Sequence, residues 1–574
     1  MDRKYTVALA SAAAAITVLS LYYYSHKKKS TKKSPKPKEE PCKPLEELKE
    51  KTTAPPDGTY DASSLKTVEE ALGKAMSFTT ARMYQNAILC YTRGIKLLGT
   101  NDPERRRLLF QNRAQVYFLM EKYSNALNDF TEVISLFPLD SKGYINRGEA
   151  YAKRGEEEKA LRDLTIVSLL EAKNQSLPER VQQLISELET SIGSRLAKTE
   201  MTRRSRDPLY KPPTPSKATC ISRLAFYGSE RSATYNAFNM DLKVLTELIN
   251  SEGPTPNLVF SKGDLYLMRG GILKKSQMFK RAAEDFAMAA KPEMQCSQLF
   301  NALLETATWL YLCGENRKAG EVFAKMETLQ ERGVQANWLN FYSKYACCMV
   351  PVDAEAAIRL ADIEVEKFPK EAEAHLVRGY VAQTVGNTLQ AVNELQKSIE
   401  IRPSAYAYIT LAACYIQDDI DKGLDLLKKA YELDPQSGDV LCAYGDTLFF
   451  KGQYLKAQEM YSQAVETVPD DPQGYVAMAR LVMNVSQKDE EAMQYLKTAL
   501  EKDENCFSAY LALLQILLMK GHTEEIKGYI EKAIACATGE GNLTEIYGLK
   551  TVFEESQRCE KVLEELRKKE YTVC

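Results

Sequence analysis

Residues 445–469 read GDTLFFKGQYLKAQEMYSQAVETVP. Gly445, Ala457, Tyr461, Ala464 and Pro469 are separated by 12, 4, 3 and 5 residues. The same offsets connect Gly379, Ala391, Leu395, Ser398 and Pro403. They recur at Leu411, Gly423, Leu427, Ala430 and Pro435, and far upstream at Ala114, Ala126, Phe130, Val133 and Pro138. Pro435 and Pro469 lie 34 residues apart, as do Ala126 and Ala160. Such spacing describes a pair of helices. Small residues let the two approach closely, and the large residue one turn further along the second helix fills the gap beside them. Proline then ends the unit, because it cannot continue the hydrogen-bond ladder.

A helix–turn–helix unit of this period resembles the tetratricopeptide repeat. Partial matches extend the array: Ala87, Tyr91 and Gly94; Gly148, Tyr151 and Ala160; Gly270, Ala282, Phe286 and Ala289; Ala319 and Phe323; Ala492, Leu496 and Ala499; and Ala533. The count is about ten to eleven repeats. Each unit covers its apolar face only by stacking on a neighbour, so the expected fold is an all-α superhelical solenoid with a concave groove. Residues 64–194 hold three repeats and residues 261–570 the rest. Between them, residues 195–260 begin polar and basic, with Arg203, Arg204, Arg206, Pro208, Pro212, Pro213 and Pro215, and read as a connector.

The opposite end differs in kind. Residues 5–24 are mostly apolar and end in Tyr22, Tyr23 and Tyr24. At helical rise they reach about 30 Å, the thickness of a hydrocarbon core. Seven lysines follow between Lys27 and Lys38. Basic flanks stay on the cytosolic side. The sequence therefore predicts a signal anchor over residues 5–24, residues 1–4 across the membrane, and a basic then Pro-containing flexible linker over residues 25–63 that leads to a cytosolic body. The moderate hydrophobicity of the span suits the mitochondrial outer membrane, and an endoplasmic-reticulum anchor is the other reading.

Residues 1–38 carry nine Lys or Arg and one Asp, a net of +8, against −2 for the whole chain, which leaves −10 for the remainder. A mildly acidic body argues against nucleic acid as a partner. The 13 cysteines are odd in number and form no C-x-x-C pair, which suits reduced cytosolic thiols and not a disulfide framework or zinc site. The histidines, His26, His375 and His522, are far apart. No phosphate-binding loop, zinc-protease motif or nucleophile elbow is present, and the expectation is a binding protein without catalytic residues, metal or cofactor.

An anchor, a spacer, three repeats, a connector and seven or eight further repeats together resemble the family of 70-kDa import receptors of the mitochondrial outer-membrane translocase. MYQNAILCYTRGI at 83–95, FQNRA at 110–114, DENCFSAY at 503–510 and IEKAIACA at 530–537 are similar to that family's repeats. The resemblance implies preproteins, notably hydrophobic carriers with internal targeting signals, as ligands of the second block. It also implies the other translocase subunits as partners. In its first three repeats the family holds a clamp of five polar or basic residues for the acidic tails of the 70- and 90-kDa heat-shock chaperones. Carried onto this sequence, Asn112 and Lys142 are retained, whereas Leu72, Met76 and Asn146 replace Lys, Asn and Arg. Two of three cations are thereby absent. Each lost charge-assisted bond is worth roughly 1.5–3 kcal/mol, so docking of chaperone tails is expected to be weakened. Arg147 and Lys74 stand near these positions as candidate compensating cations, but about 100° and 200° around their helices, where solvated surface is expected. A membrane-anchored co-chaperone adaptor or an assembly scaffold on another membrane is the alternative reading.

Overall fold

Gly445 faces Tyr461 so closely that a Cβ at position 445 would lie 2.5 Å from the tyrosine ring, and at Gly379 it would lie 2.6 Å from Leu395. The small-residue positions of the repeat are thus places where one helix of a hairpin lies against a large side chain of the other. In the computed structural model, which describes residues 60–573 except 101, 172–176, 208–209, 211, 217–219, 221–241, 251–259, 277, 332–333, 335, 487 and 521–522, such hairpins make up most of the described residues. No strand occurs among the described residues. The predicted anchor at residues 5–24 lies outside the described residues. Among the described residues no helix is long and apolar enough to cross a membrane.

Three hairpins come first among the described residues. They pair α1 (Val68–Thr80) with α2 (Tyr84–Leu98), α3 (Pro103–Leu119) with α4 (Tyr123–Leu136), and α5 (Ser141–Arg154) with α6 (Glu157–Glu171). Local chemistry fixes the starts. Thr67 and Glu70 form a reciprocal capping box at α1, Asp102 caps α3 ahead of Pro103, and Asp140 caps α5. The turns inside hairpins need a left-handed residue. Gly155, Gly386 and Gly452 supply it at φ of 82°, 86° and 82°, whereas Arg82 and Glu121 adopt φ of 58° at the same place in the first two hairpins.

Eight more hairpins run from Lys262 to Cys536. Their neighbouring first helices pack on one another, so the solenoid expected from the sequence is observed.

The chain forms two compact units, and the boundary is not where the repeats alone placed it. One unit contains residues 198–546; the other contains the first three hairpins together with residues 547–574. The closing residues were expected to end the second block. Instead Cys559 and Leu563, on the helix Gly539–Val573, are buried in one cluster with Leu161, Leu164, Leu188 and Ile192. Arg162 Nε donates to Glu555 Oε2 at 2.9 Å. A Cβ at Gly548 would meet Glu189 Cγ at 2.8 Å. Among the described residues no cation pairs with Glu189, and burial pushes its carboxyl up to about 7.

The connector is also more ordered than expected. Helix Glu179–Arg206 continues through residues 195–206, and Leu242–Asn250 forms a further helix whose Leu245 and Ile249 pack on Leu265. Arg204 is not part of a solvated basic loop. It is 6% exposed and donates to the carbonyls of Ile534 and Ala537 at a helix C-terminus. At the other predicted linker, Tyr60 already belongs to the fold: its N–H donates to Asn86 Oδ1 and its ring meets Phe78 edge-on.

Candidate functional site

The first helices of the first three hairpins carry every residue singled out above for binding. Two ion pairs hold them in order. Arg105 on α3 reaches Glu69 on α1, and Arg107 on α3 reaches Asp140, the cap of α5, at 2.8 Å. Leu72 and Leu108 each stand three residues beyond a member of the first pair, so they follow it by one turn on adjacent helices. Met76 and Asn112 follow by one further turn.

Burial separates these positions. Leu72 is partly buried and packs against the core of the first hairpin, whereas Met76 and Leu108 are 53% and 44% exposed. Asn112 and Asn146 are partly buried and Lys142 is exposed. Among the described residues no carboxylate lies within ion-pair distance of Lys142. Lys74 sits over aromatic rings, with its ammonium 5.3 Å from the centre of Phe78 and 5.9 Å from that of Tyr60.

Arg147 is not solvated surface, as its angle around the helix suggested. Its Nε and Nη2 donate to the two oxygens of Asp163 at 2.7 and 2.8 Å, and Nη1 donates to Thr131 at 3.3 Å. The guanidinium is committed to its own hairpin through Asp163 and to the preceding one through Thr131. The arrangement repeats: Arg113 with Asp129 and Thr92, and Arg269 with Asp285 and Thr246, have the same geometry. In each case the arginine precedes the small residue of the repeat and the acid lies 16 residues on, a signal that was present in the sequence. Burial pulls the Asp129 and Asp163 carboxyls upward, and the arginine forks offset part of that.

Three polar residues beside the predicted ones are sequence-visible only in hindsight. Gln111 and Gln115 share the stripe of Leu108 and Asn112 on α3, and Glu149 on α5 pairs with Arg180. Gln111, Asn112, Gln115 and Asn146 are all partly buried, and none has a hydrogen-bond partner for its side-chain amide among the described residues. The predicted positions and their neighbours therefore combine exposed apolar groups, amides without a partner among the described residues, and one cation, Lys142. Among the described residues no group of acids, histidines and cysteines is placed to hold a metal.

In the second unit the first helices carry a buried charge ladder. Lys274 Nζ lies 2.9 and 2.8 Å from the two oxygens of Glu305, and Lys344 Nζ lies 4.0 Å from Glu305 Oε1. Lys344 is 1% exposed, and burial holds its ammonium down at about 8 against the pull of Glu305.

Residues 112–164 and 415–481 each match the tetratricopeptide-repeat family. The mitochondrial import receptor subunit TOM70 of Rattus norvegicus is 22% identical over 507 residues, spanning 86% of this chain and 80% of that protein. Its counterpart from Homo sapiens is 22% identical over 508 residues with the same shares. The chain thus carries tetratricopeptide repeats and is similar over most of its length to mitochondrial import receptor subunits. Among solved structures, the crystal structure of yeast Tom70 aligns at 19% identity and a TM-score of 0.48, covering 86% of this chain and 96% of that one. The relation to the receptor subunits exceeds what either unit contains alone, so it draws on both.

Proposed function

We propose that this chain is a mitochondrial protein import receptor. It captures precursor polypeptides, notably hydrophobic carriers with internal targeting signals, and passes them to the outer-membrane translocase. The observation that carries the reading is the relation to the rat and human import receptor subunits across 86% of the chain. The second unit, with its eight stacked hairpins, offers the larger groove for such clients. Residues 5–24 anchor the chain in the outer membrane, with residues 1–4 in the intermembrane space and the hairpins in the cytosol. Docking of acidic chaperone tails is weakened, because Lys142 is the one retained cation of the clamp and Arg147 is occupied by Asp163.

Import of a radiolabelled carrier into mitochondria depleted of this chain tests the reading. Full-length chain restores import, and a chain lacking residues 5–24 does not. Unchanged import on depletion, or residence of a reporter fused to the first 40 residues on another membrane, would sink it.

A further inference from the structure

Several arginines on the first helices of the first three hairpins are already engaged within the fold. Arg105, Arg107, Arg113 and Arg147 each answer an acid of this unit, and Glu149 answers Arg180. Remaining on the surface are the side-chain amides of Gln111, Asn112, Gln115 and Asn146, flanked by Met76 and Leu108. Among the predicted clamp positions a ligand rich in carboxylates would find one cation, Lys142, while Lys74 lies over the rings of Tyr60 and Phe78.

A side-chain amide is the same chemical group as a peptide bond, with one acceptor and two donors. Partly buried amides without partners gain most from a ligand that presents alternating N–H and C=O groups, and they read no sequence in doing so. Exposed apolar groups beside them gain from covering by apolar side chains. An extended polypeptide segment offers both. Lys142 has only donors and suits a main-chain carbonyl equally well.

We infer that the face formed by α1, α3 and α5 binds an extended, uncharged, apolar polypeptide segment by its main chain, with the amides gripping the backbone and Met76 and Leu108 receiving side chains. As a second polypeptide site, this face extends the receptor reading, so the measurement must separate the two.

The probe is a labelled synthetic peptide alternating Leu or Val with Ser, titrated into the full-length chain by fluorescence anisotropy and then photo-crosslinked. It is compared with the same peptide N-methylated at alternate amides, and with an acidic peptide of equal length. The uncharged peptide binds, crosslinks within residues 68–154, and responds little to salt. N-methylation or the double variant Asn112→Leu/Asn146→Leu weakens it about tenfold, as loss of two hydrogen bonds requires. Met76→Lys, at a position more than half exposed and so harmless to folding, weakens it too. Tighter, strongly salt-dependent binding of the acidic peptide would overturn the inference. So would equal binding of the N-methylated peptide, crosslinks confined to residues 262–536, or no binding at all. Precursor capture is measured on the same preparations. If it fails while the peptide still labels α1, α3 and α5, only the receptor reading falls; if it persists while the peptide does not bind, only the present inference falls.

Discussion

Arg147 and Asp163 meet through two parallel hydrogen bonds, and the carboxylate is 4% exposed. A buried acid held by one arginine is costly to abandon. Arg147→Ala is expected to destabilise the first unit by about 3–5 kcal/mol, and the double variant Arg147→Leu/Asp163→Leu to recover most of that loss. Denaturant melts of the four proteins in the cycle check it; a single variant within about 1 kcal/mol of the parent would show that the pair is immaterial.

Arg82 and Glu121 occupy turn positions that glycine fills in later hairpins. Their side chains oppose a left-handed backbone. Arg82→Gly and Glu121→Gly are each expected to stabilise the chain by about 0.5–1 kcal/mol, the left-handed strain relieved less the added freedom of the unfolded glycine. Thermal melts read this directly, and a drop in Tm for either variant contradicts it.

Lys344 has a lowered folded-state pKa, about 8 against 10.5 for the free group. For a lysine shifted in this direction, the folded state is relatively favoured above the unfolded pKa and penalised as pH falls through the folded one. At pH 7 the buried ammonium is therefore a liability. Lys344→Met, which leaves Lys274 to pair with Glu305, should stabilise by about 1–3 kcal/mol at pH 7 and progressively less above pH 9. Urea titrations at pH 7 and pH 10 giving the same gain would refute the account.

Glu189 behaves in the opposite sense. Its carboxyl is raised to about 7 by burial, so the folded state prefers the protonated form and loses stability as pH rises through that value. Glu189→Gln should be close to neutral at pH 5 and stabilising by about 1 kcal/mol at pH 8. Hydrogen exchange of residues 547–573 at the two pH values is the local readout, and slower exchange in the variant only at pH 5 would reverse the sign.

Leu72→Lys combined with Asn146→Arg restores two cations to the first-helix face. Affinity for an acidic chaperone-tail peptide should rise by about a hundredfold or more, since each charge-assisted bond is worth roughly 1.5–3 kcal/mol. Calorimetric titration decides it; micromolar binding by the unmodified chain would mean that the retained residues already suffice.

The hairpins were legible because their signal is local. Gly445 and Tyr461, or Gly379 and Leu395, lie on adjoining helices within one repeat, and a fixed offset records the contact. Arg147 was misplaced because a helical wheel shows only the angle of a residue on its own helix, whereas the partner that buries it stands on the next one. Asp163 was visible at the recurring 16-residue offset, but only once Arg113 and Arg269 are compared with it. Arg204 and Lys344 were illegible for another reason. Their partners, Ile534 and Ala537 for one and Glu305 for the other, are set by stacking of units, and basic residues near prolines or tyrosines read as surface. Among the binding residues the clamp positions were reached by resemblance. Exposure of Met76 and the idle amides of Gln111 and Gln115 are properties of a packed face that no offset encodes.

The helix that covers Leu161, Leu164 and Ile192 is made late. Residues 198–546 are translated between the two parts of the first unit. At about 5–20 residues per second, the ribosome leaves the third hairpin waiting for its last layer for tens of seconds. During that interval the apolar surface of the third hairpin lacks the cover that residues 547–573 give it. A nonsense mutation anywhere from residue 198 to residue 546 would leave those hairpins uncovered, even where the stop lies hundreds of residues downstream of them.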